Sequence, residues 1–335
     1  MRTVFVTGGT GFVGRHLVDR LLETGCAVRC LVRSPERATH LHRDGVQIVP
    51  GTLQHVDGWR PQLDGCDAVI HAGGLVAARR HRELFHVNGD AVGSLADACA
   101  ARETPPVLVH VSSLAAAGPT PRGAAPRDET ARAAPASVYG ASKRAGEVAL
   151  ERRAGRLPVS VLRPGIVFGA HDTKSAAIFQ SIAWLRLHVR MGFRDWPLSL
   201  IHASDLADLT VAAILRGARI GAAGDGAGIY NACDDREHPT YGTLGRKIAR
   251  ALGCGVLVLP LPVALAWPTS CAVAAYWDLR GQPSIVSPDK LREATAGNWA
   301  ASAAKARAEL GFLPAATLDE RLQQTADWLR ANGGL

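Results

Sequence analysis

A tyrosine and a lysine four residues apart, Tyr139 and Lys143, have the types and spacing needed for proton transfer. On a helix this spacing places both side chains on one face, one turn apart. An isolated tyrosine has a pKa of about 10 and is a poor base at neutral pH. A neighbouring ammonium group would lower that pKa and make the hydroxyl a usable acid and base. The pair therefore predicts acid–base chemistry.

Two serines, Ser112 and Ser113, follow an apolar run at residues 107–111. If that run is a strand, a hydroxyl at its end can hydrogen-bond a substrate oxygen and hold it toward Tyr139. Serines at such positions also end strands and cap the loops that follow. We assign the substrate-holding role to Ser113 and a structural role to Ser112.

A glycine-rich segment at residues 7–14, Thr-Gly-Gly-Thr-Gly-Phe-Val-Gly, lies between an apolar run and an amphipathic run at residues 12–22. A strand, a glycine turn and a helix start form the layout that binds a dinucleotide pyrophosphate. The glycines let the backbone approach the phosphates, and the helix start offers free N–H groups. The segment therefore predicts a dinucleotide-binding site, and the positive ring of a nicotinamide bound there would, like the ammonium, lower the pKa of Tyr139.

Strand and helix patterns alternate along the first half of the chain. Strands are predicted at residues 3–6, 28–32, 46–49, 68–71, 107–111 and 159–162, and helices at 12–23, 34–42, 84–102 and 139–154. The alternation predicts an α/β fold, a doubly wound parallel sheet of Rossmann type with helices on both faces. The ligand crevice then lies at the carboxyl ends of the strands.

The regular alternation weakens after Pro164. We therefore expect a dinucleotide-binding Rossmann domain at residues 1–164 and a smaller C-terminal substrate-binding lobe at residues 165–335. Helices are predicted in this lobe at 175–187, 204–216, 241–252, 302–310 and 318–331, and short strands near 229–231 and 256–259. Some of these segments should return to extend the main sheet.

The segment at residues 251–277 carries no charged residue. It approaches the length of a membrane span, but prolines interrupt it. We expect a buried strand followed by a core or lid helix. Two alternatives are an apolar wall for a lipid-like substrate and peripheral contact with a membrane surface. A transmembrane helix is not expected.

The composition of the chain indicates which binding partners and which cellular compartment to expect. The formal charge of +8 suits phosphorylated ligands, an anionic membrane or nucleic acid. With few aromatic residues and no basic helix, nucleic acid is not an expected partner. The seven cysteines form no C-x-x-C pair, which predicts free thiols in a reducing cytoplasm and no metal site. No signal peptide pattern precedes the first strand, so a cytoplasmic location is expected.

These motifs, together with Leu162-Arg163-Pro164-Gly165, resemble the extended short-chain dehydrogenase/reductase superfamily, also described as the NAD-dependent epimerase/dehydratase superfamily. The resemblance spans nearly the whole chain. It implies that Ser113, Tyr139 and Lys143 form a catalytic triad and that Lys143 also holds the nicotinamide ribose. Asn88 matches the family's helix-four asparagine, a structural or water-relay residue.

The glycine segment and the resemblance together imply a set of cofactor-binding residues. Residues 71–73 would pass under the cofactor, and residues 164–167 would face its carboxamide. The set is Gly8, Gly9, Thr10, Gly11, Phe12, Val13, Arg33, Arg37, Leu53, His71, Ala72, Gly73, Asn88, Val111, Lys143, Pro164, Ile166 and Val167. Many relatives have an aspartate near Leu53 that contacts adenine, and this chain lacks it.

The end of strand two indicates which cofactor is preferred. NAD-preferring relatives carry an acid there, whereas this chain has Val32 followed by Arg33. An arginine suits a 2′-phosphate, and the missing carboxylate removes repulsion. We therefore favour NADP(H) over NAD(H), with Arg33 as the main ligand and Arg37 as a helper. The alternative is that Arg33 is a solvated residue at a helix start.

The family oxidises alcohols, reduces ketones, and epimerises or dehydrates sugars, in each case starting with a hydride transfer. Dehydratases place acids beside the catalytic serine, and residues 114–118 contain none. The pattern Ser-Ser-x-x-x-x-Gly-Pro, ending at Pro119, resembles the 3β-hydroxysteroid dehydrogenase and dihydroflavonol reductase branches. We expect an oxidoreductase that interconverts an alcohol and a ketone on a hydrophobic, steroid- or terpenoid-like substrate, C4-decarboxylating types included.

Three other functions are open at this point. A nucleotide-sugar 4-epimerase or dehydratase would keep its cofactor and bind a nucleotide diphosphate. An NADP(H)-sensing regulator would keep the glycine loop but lose the Tyr–Lys pair, which is intact here. A scaffold would bind only a partner protein. A monomer and a homodimer are both compatible with the sequence.

Overall fold

A parallel sheet flanked by helices forms the centre of the molecule, as the sequence predicts. The computed structural model describes residues 2–221 and 226–335. Its strands are β1 Thr3–Thr7, β2 Ala27–Val32, β3 Val46–Pro50, β4 Ala68–His71, β5 Val107–Val111, β6 Val159–Pro164, β7 Ile166–Phe168, β8 Leu187–Met191, β9 Leu200–His202, β10 Ile229–Ala232 and β11 Leu257–Leu261. The central sheet has seven strands in the order β3-β2-β1-β4-β5-β6-β10, and every neighbouring pair is parallel. This is the predicted Rossmann-type α/β fold.

Helices lie on both faces of this sheet. They are α1 Phe12–Glu23, α2 His81–Phe85, α3 Ala91–Ala100, α4 Leu114–Ala117, α5 Val138–Glu151, α6 Thr173–Leu185, α7 Ala203–Arg216, α8 Tyr241–Leu252, α9 Val263–Leu279, α10 Pro288–Thr295, α11 Ala304–Leu310 and α12 Leu318–Ala331. The apolar stripe of α1, including Leu17 and Leu21, packs on one face of β1, β2 and β4. Phe5, stacked on Trp59, and Leu95 of α3 belong to the core of the other face.

The chain reverses direction across the sheet between β1 and β4. From β1 it first builds outward through β2 and β3, then returns to place β4 on the other side of β1. The carboxyl ends of β1 and β4 lie side by side, with Thr7 paired to His71. Such a switch point leaves an open crevice for a ligand.

Two helix predictions of the first half need correction. Residues 34–42 form two short 3₁₀ turns, Pro35–Arg37 and Thr39–Leu41, in place of one helix. The helix predicted at 84–102 begins earlier, at His81, and a π turn at His86–Asp90 divides it. Asn88 lies in that turn, where its side chain binds a neighbouring loop and α5. Single π turns often mark such specialised positions.

The second half contributes both to the main sheet and to smaller sheets. Strand β10 pairs with β6 at the edge of the main sheet, while β8 pairs with β11 and β7 with β9. A segment from beyond residue 164 therefore does join the main sheet. The division of the chain at residue 164 remains a prediction.

The charge-free segment forms the predicted strand and helix, β11 and α9, but the strand is not buried and the helix is not a core helix. Within α9 only Ala266 and Ser270 are buried, and Leu265 and Leu279 are exposed. The apolar residues of α9 surround the helix on all sides, so packing one side leaves the others in contact with solvent. Pro268 lies inside the helix without ending it.

Candidate active site

The glycine loop brings the backbone of β1 close to the start of α1 and to the loop after β4. Gly8 has a φ of +80°, and a Cβ there would lie 2.6 Å from the nitrogen of Gly73. A Cβ on Gly14 would lie 2.0 Å from the oxygen of Gly8. Gly11 is the N-cap of α1 and has no side chain to cap the first turn. The loop therefore leaves N–H groups at the start of α1 free, and it forms a concave surface that a side chain would fill. Both features suit the binding of a pyrophosphate.

A cavity of about 750 Å³ opens above the carboxyl ends of β1, β2 and β4. Seven of the predicted cofactor residues line it: Gly8, Thr10, Gly11, Arg33, Leu53, Ala72 and Gly73. Its further lining, which sequence reasoning missed, includes Thr52, Gln54, Arg82, Glu83, His86 and Asp90. Arg82 and Glu83 lie in α2, and His86 and Asp90 lie in the π turn that follows it. This stretch of sequence carries no recognisable ligand motif.

The other predicted cofactor residues lie outside the lining of this cavity: Gly9, Phe12, Val13, Arg37, His71, Asn88, Val111, Lys143, Pro164, Ile166 and Val167. Val111 and Pro164 end the adjacent strands β5 and β6, and Ile166 and Val167 follow in β7. They occupy the same edge of the sheet as the glycine loop, which is where a nicotinamide would extend from the cavity. The side chain of His71 is buried beneath the cavity.

The three predicted catalytic residues meet at the end of β5. Ser113 follows that strand as the N-cap of α4, and its oxygen accepts a hydrogen bond from the backbone nitrogen of Ala115. The Ser113 side chain also hydrogen-bonds the hydroxyl of Tyr139, which lies in the first turn of α5. Lys143 lies one turn further along α5 and donates to the carbonyl oxygen of Val111 over 2.8 Å. The sequence spacing thus produces the expected cluster.

Burial sets the ionisation of the tyrosine and the lysine. Desolvation raises the pKa of Tyr139 to about 12; the nearby Glu293 carboxylate adds to this rise, and the Ser113 hydrogen bond opposes it. Desolvation lowers the pKa of Lys143 to about 8, although Glu147 favours its charged form. Tyr139 is therefore neutral at pH 7, and a positive charge bound beside it would favour its ionisation.

A buried ion pair holds α5 against the end of β6. Glu147 accepts two hydrogen bonds from the guanidinium of Arg163, at 2.9 and 2.7 Å, and one from the hydroxyl of Ser112 at 2.6 Å. Burial raises the pKa of Glu147, but the Arg163 guanidinium and these hydrogen bonds reverse the effect and leave it lowered. Glu147 lies four residues after Lys143, and this helical spacing is the feature of the sequence that could have placed Glu147 on the same face of α5 as Lys143. Ser112 has a structural contact, as expected.

Asn88 connects the loop after β4 to the catalytic helix. Its Nδ2 donates to the oxygen of Leu75 at 2.8 Å and to the hydroxyl of Ser142 at 3.0 Å. Its Oδ1 accepts from the nitrogen of Leu75 at 2.9 Å. All of these contacts hold protein segments together, so the structure supports a structural role for Asn88.

Two buried histidines lie beneath the site. The rings of His71 and His110 stack with centroids 5.1 Å apart, and His71 Nδ1 lies 2.6 Å from the hydroxyl of Thr7. Burial lowers the pKa of His71 to about 3 and that of His110 well below its usual value, and the charge of Lys143 adds to both shifts. Both rings are therefore neutral at pH 7.

Residues of α10, about 150 positions away in sequence, also reach the start of the catalytic helix. Asp289 accepts hydrogen bonds from the nitrogens of Val138 and Tyr139, at 2.8 and 3.3 Å. Lys290 Nζ lies 4.0 Å from the centroid of the Tyr139 ring. No motif in the sequence connects these segments, so sequence reasoning missed the contact.

Comparisons with known proteins show which proteins this chain resembles. The model of the NAD dependent epimerase/dehydratase family matches residues 4–233. A ceramide reductase of Caulobacter vibrioides is 30% identical over 333 residues, covering 99% of this chain and 96% of its own. A decarboxylating sterol-4-alpha-carboxylate 3-dehydrogenase of Dictyostelium discoideum is 25% identical over 334 residues, covering 93% and 96%.

Solved structures share the fold. The UDP-glucose 4-epimerase of Thermus thermophilus, solved in complex with NAD, superposes with a TM-score of 0.76 at 23% identity, covering 98% of this chain and 99% of its own. At this identity the likeness concerns the fold.

Proposed function

Because the chain belongs to the NAD-dependent epimerase/dehydratase family, whose members are extended short-chain enzymes that use a nicotinamide cofactor, we propose that it interconverts an alcohol and a ketone on a hydrophobic substrate. The proposed substrate is steroid- or terpenoid-like. Ser113, Tyr139 and Lys143 are the proposed catalytic residues, and residues 165–335 supply the proposed substrate-binding lobe.

One observation carries the substrate class: an exposed apolar helix is connected to the catalytic tyrosine through a single neighbouring helix. Helix α9 packs on α10, where Arg292 places its guanidinium 5.3 Å from the ring centroid of Trp267. Lys290 of the same α10 contacts the Tyr139 ring. An exposed apolar helix this near the proposed reaction centre suits an apolar ligand better than a nucleotide diphosphate.

The catalytic residues have distinct parts in the proposed reaction. The bound cofactor supplies or accepts the hydride. In the direction of reduction, the Tyr139 hydroxyl donates its proton to the substrate oxygen, which the Ser113 hydroxyl holds in place. Lys143 is fixed by Val111 at the end of β5, so its ammonium favours the tyrosinate left behind. In the direction of oxidation Tyr139 must first be in its tyrosinate form, and the alcohol proton then moves to its phenolate oxygen.

NADP(H) is the proposed cofactor, with Arg33 as the main ligand of the 2′-phosphate and Arg37 as a helper. Arg33 lines the cavity just after β2, is exposed, and forms no ion pair with any residue in the described ranges. Its guanidinium is thus available to a phosphate. Arg37 is exposed as well but lies outside the cavity lining, which is consistent with a lesser role.

The relatives' names support a lipid-like substrate. The Caulobacter protein is called a ceramide reductase and the Dictyostelium protein a sterol-4-alpha-carboxylate dehydrogenase. Both names denote redox chemistry on large apolar molecules, and the second includes a decarboxylation at C4, which we keep within the proposal. The fold shared with UDP-glucose 4-epimerases makes nucleotide-sugar epimerisation the second candidate.

Peripheral contact with a membrane surface is part of the proposal. In the described part of the chain, no helix combines the length and the apolar character required to cross a bilayer. Helix α9 nevertheless exposes apolar and aromatic side chains: Val263, Leu265, Trp267, Tyr276, Trp277 and Leu279. Its one acid, Asp278, is paired with Arg79 at 2.8 Å, and Arg280 lies over the ring of Tyr276. Exposed apolar and aromatic side chains next to a basic residue, Arg280, suit contact with an anionic membrane interface. The free cysteines favour a cytoplasmic location for the protein.

A turnover screen tests the proposed function. The purified protein is incubated with hydroxysteroids, ketosteroids, long-chain lipid ketones or UDP-sugars, each with NADPH and NADH or their oxidised forms. We expect cofactor oxidation or reduction with an apolar alcohol or ketone and faster turnover with the phosphorylated cofactor. Turnover of UDP-sugars alone would replace the proposal by the epimerase function, and no turnover with any substrate would favour a sensor.

A further inference from the structure

Helix α10 contacts the start of the catalytic helix at three successive points. Asp289 accepts hydrogen bonds from the first two backbone nitrogens of α5. Ser137, the N-cap of α5, donates its hydroxyl hydrogen to Glu293 over 2.5 Å. Lys290 covers the ring of Tyr139, with 4.0 Å from Nζ to the ring centroid. A helix of the proposed substrate lobe therefore fixes the segment that carries the catalytic hydroxyl.

The two carboxylates of α10 suit a helix N-terminus. They satisfy N–H and hydroxyl groups there and complement the positive end of the helix dipole. For Tyr139 the same negative charge is unfavourable, because Glu293 raises the pKa of its hydroxyl. An arrangement that stabilises α5 thus makes proton loss from Tyr139 harder.

Lys290 supplies the opposite charge at the ring itself. Its ammonium forms an ion pair with Glu293 at 2.9 Å and lies over the face of the tyrosine ring. A cation over an aromatic face is attracted to the π electrons. The attraction is stronger for a tyrosinate, which carries a full negative charge, than for the neutral phenol.

We propose that Lys290 is a positioning residue of the active site, which holds the Tyr139 ring and stabilises the tyrosinate that proton transfer leaves behind. The proposal rests on the assignment of Tyr139 as the acid–base residue under the proposed function. It makes α10 a part of the reaction centre, so the substrate lobe contributes to catalysis as well as to binding.

The charged groups around Tyr139 are few and can be separated by mutation. Lys143 lies on its own helix, and Asp289, Lys290 and Glu293 lie on α10. Lys174 of α6 interacts electrostatically with Lys290. Burial lowers the pKa of Lys174, and repulsion by the Lys290 ammonium lowers it further. No contact joins Lys174 to the Tyr139 ring among the described residues, which makes Lys174 a matched control for loss of one lysine charge from this region.

The direct test is a titration of Tyr139 in the NADP⁺-bound protein. The chain has four tyrosines, so ¹³C labelling at the tyrosine ζ carbon gives few NMR signals, and Tyr139→Phe identifies the relevant one. Because a neighbouring charge at this distance shifts a pKa by about one unit or more, we expect Lys290→Met to raise the apparent pKa of Tyr139 by about that amount. Lys290→Arg should restore it, and Lys174→Met should have a smaller effect.

Two outcomes would overturn the proposal: an unchanged Tyr139 titration in Lys290→Met, or equal shifts in Lys290→Met and Lys290→Arg, which would indicate a packing role only. If Lys290→Met does not fold, Lys290→Gln is the variant to titrate. The titration needs no substrate, so it tests Lys290 even if the turnover screen fails. With an active substrate, kcat should fall in Lys290→Met more than KM for NADPH rises, and the pH profile should shift in the same direction as the titration.

Discussion

The Nζ of Lys143 lies 2.8 Å from the carbonyl oxygen of Val111, so the last residue of β5 fixes the ammonium group of the catalytic helix. The same strand end leads into Ser113, which hydrogen-bonds Tyr139. One strand end therefore positions all three proposed catalytic side chains, two of them from α5 and one from the chain that follows the strand. The geometry depends on the backbone of β5 as much as on the side chains.

Replacing Tyr139 by phenylalanine should abolish turnover and leave cofactor affinity nearly unchanged. The substitution removes only the hydroxyl that transfers the proton. Cofactor affinity is measured by fluorescence titration with NADPH, and turnover by NADPH absorbance with the substrate found in the screen. Lys143→Met provides the contrast, because it should reduce both quantities. Near-normal kcat in Tyr139→Phe would show that another group is the acid.

Replacing Arg33 by alanine should weaken NADPH binding far more than NADH binding. A hydrogen bond between charged groups is worth roughly 1.5–3 kcal/mol, so KM for NADPH should rise about tenfold or more. Arg37→Ala should have a smaller effect in the same direction, because Arg37 is the proposed helper and does not line the cavity. Equal changes for both cofactors in Arg33→Ala would contradict recognition of the 2′-phosphate.

Local patterns predicted the sheet, and they predicted that Tyr139 and Lys143 lie one turn apart on one helix, because both depend on short-range signals. The glycine segment, the strand alternation and the spacing of Tyr139 and Lys143 are each contained within a few residues. The exposure of α9 could not be predicted this way, because an apolar run looks the same whether it is covered by protein or left open. The contacts of Asp289 and Lys290 with α5 join residues about 150 positions apart, and only the fold brings them together.

Acid should destabilise the protein through its buried histidines. The pKa of His71 is lowered to about 3, and that of His110 is also lowered. As the pH falls below about 6.5, these histidines become protonated in the unfolded chain but stay neutral in the folded protein. The stabilising contribution is fully present above that value and is lost progressively as the pH falls, by roughly 2 kcal/mol for His71 at about pH 5, and His110 adds a loss in the same direction.

The variant His110→Phe tests this linkage. Phenylalanine keeps a ring against His71 and removes two ring nitrogens that have no hydrogen-bond partner among the described residues. Urea unfolding at several pH values should show a smaller loss of stability in acid than for the wild-type protein. His55→Gln, a change at an exposed histidine, should leave the pH dependence as it is. An unchanged acid sensitivity in His110→Phe would mean that other groups dominate it.

The exposed surface of α9 should bind anionic membranes, and Leu265 is the residue that tests it. Leu265 is 59% exposed, so Leu265→Glu should change the melting temperature little. Vesicles containing phosphatidylglycerol should co-sediment with the wild-type protein and bind Leu265→Glu several-fold less, because a carboxylate opposes both apolar insertion and attraction to the lipid headgroups. The control is Leu313→Glu, an equally drastic change at a leucine that is 68% exposed on the segment between α11 and α12. Equal binding by both variants would contradict a membrane role for α9.

The variant Leu265→Ala tests whether α9 instead lines the substrate pocket. If it raises KM for a steroid-like substrate without affecting NADPH affinity, α9 is a wall of the substrate pocket. A large drop in melting temperature for Leu265→Ala, with unchanged KM, would show that Leu265 serves stability only and would remove the main argument for a lipid-like substrate over a UDP-sugar.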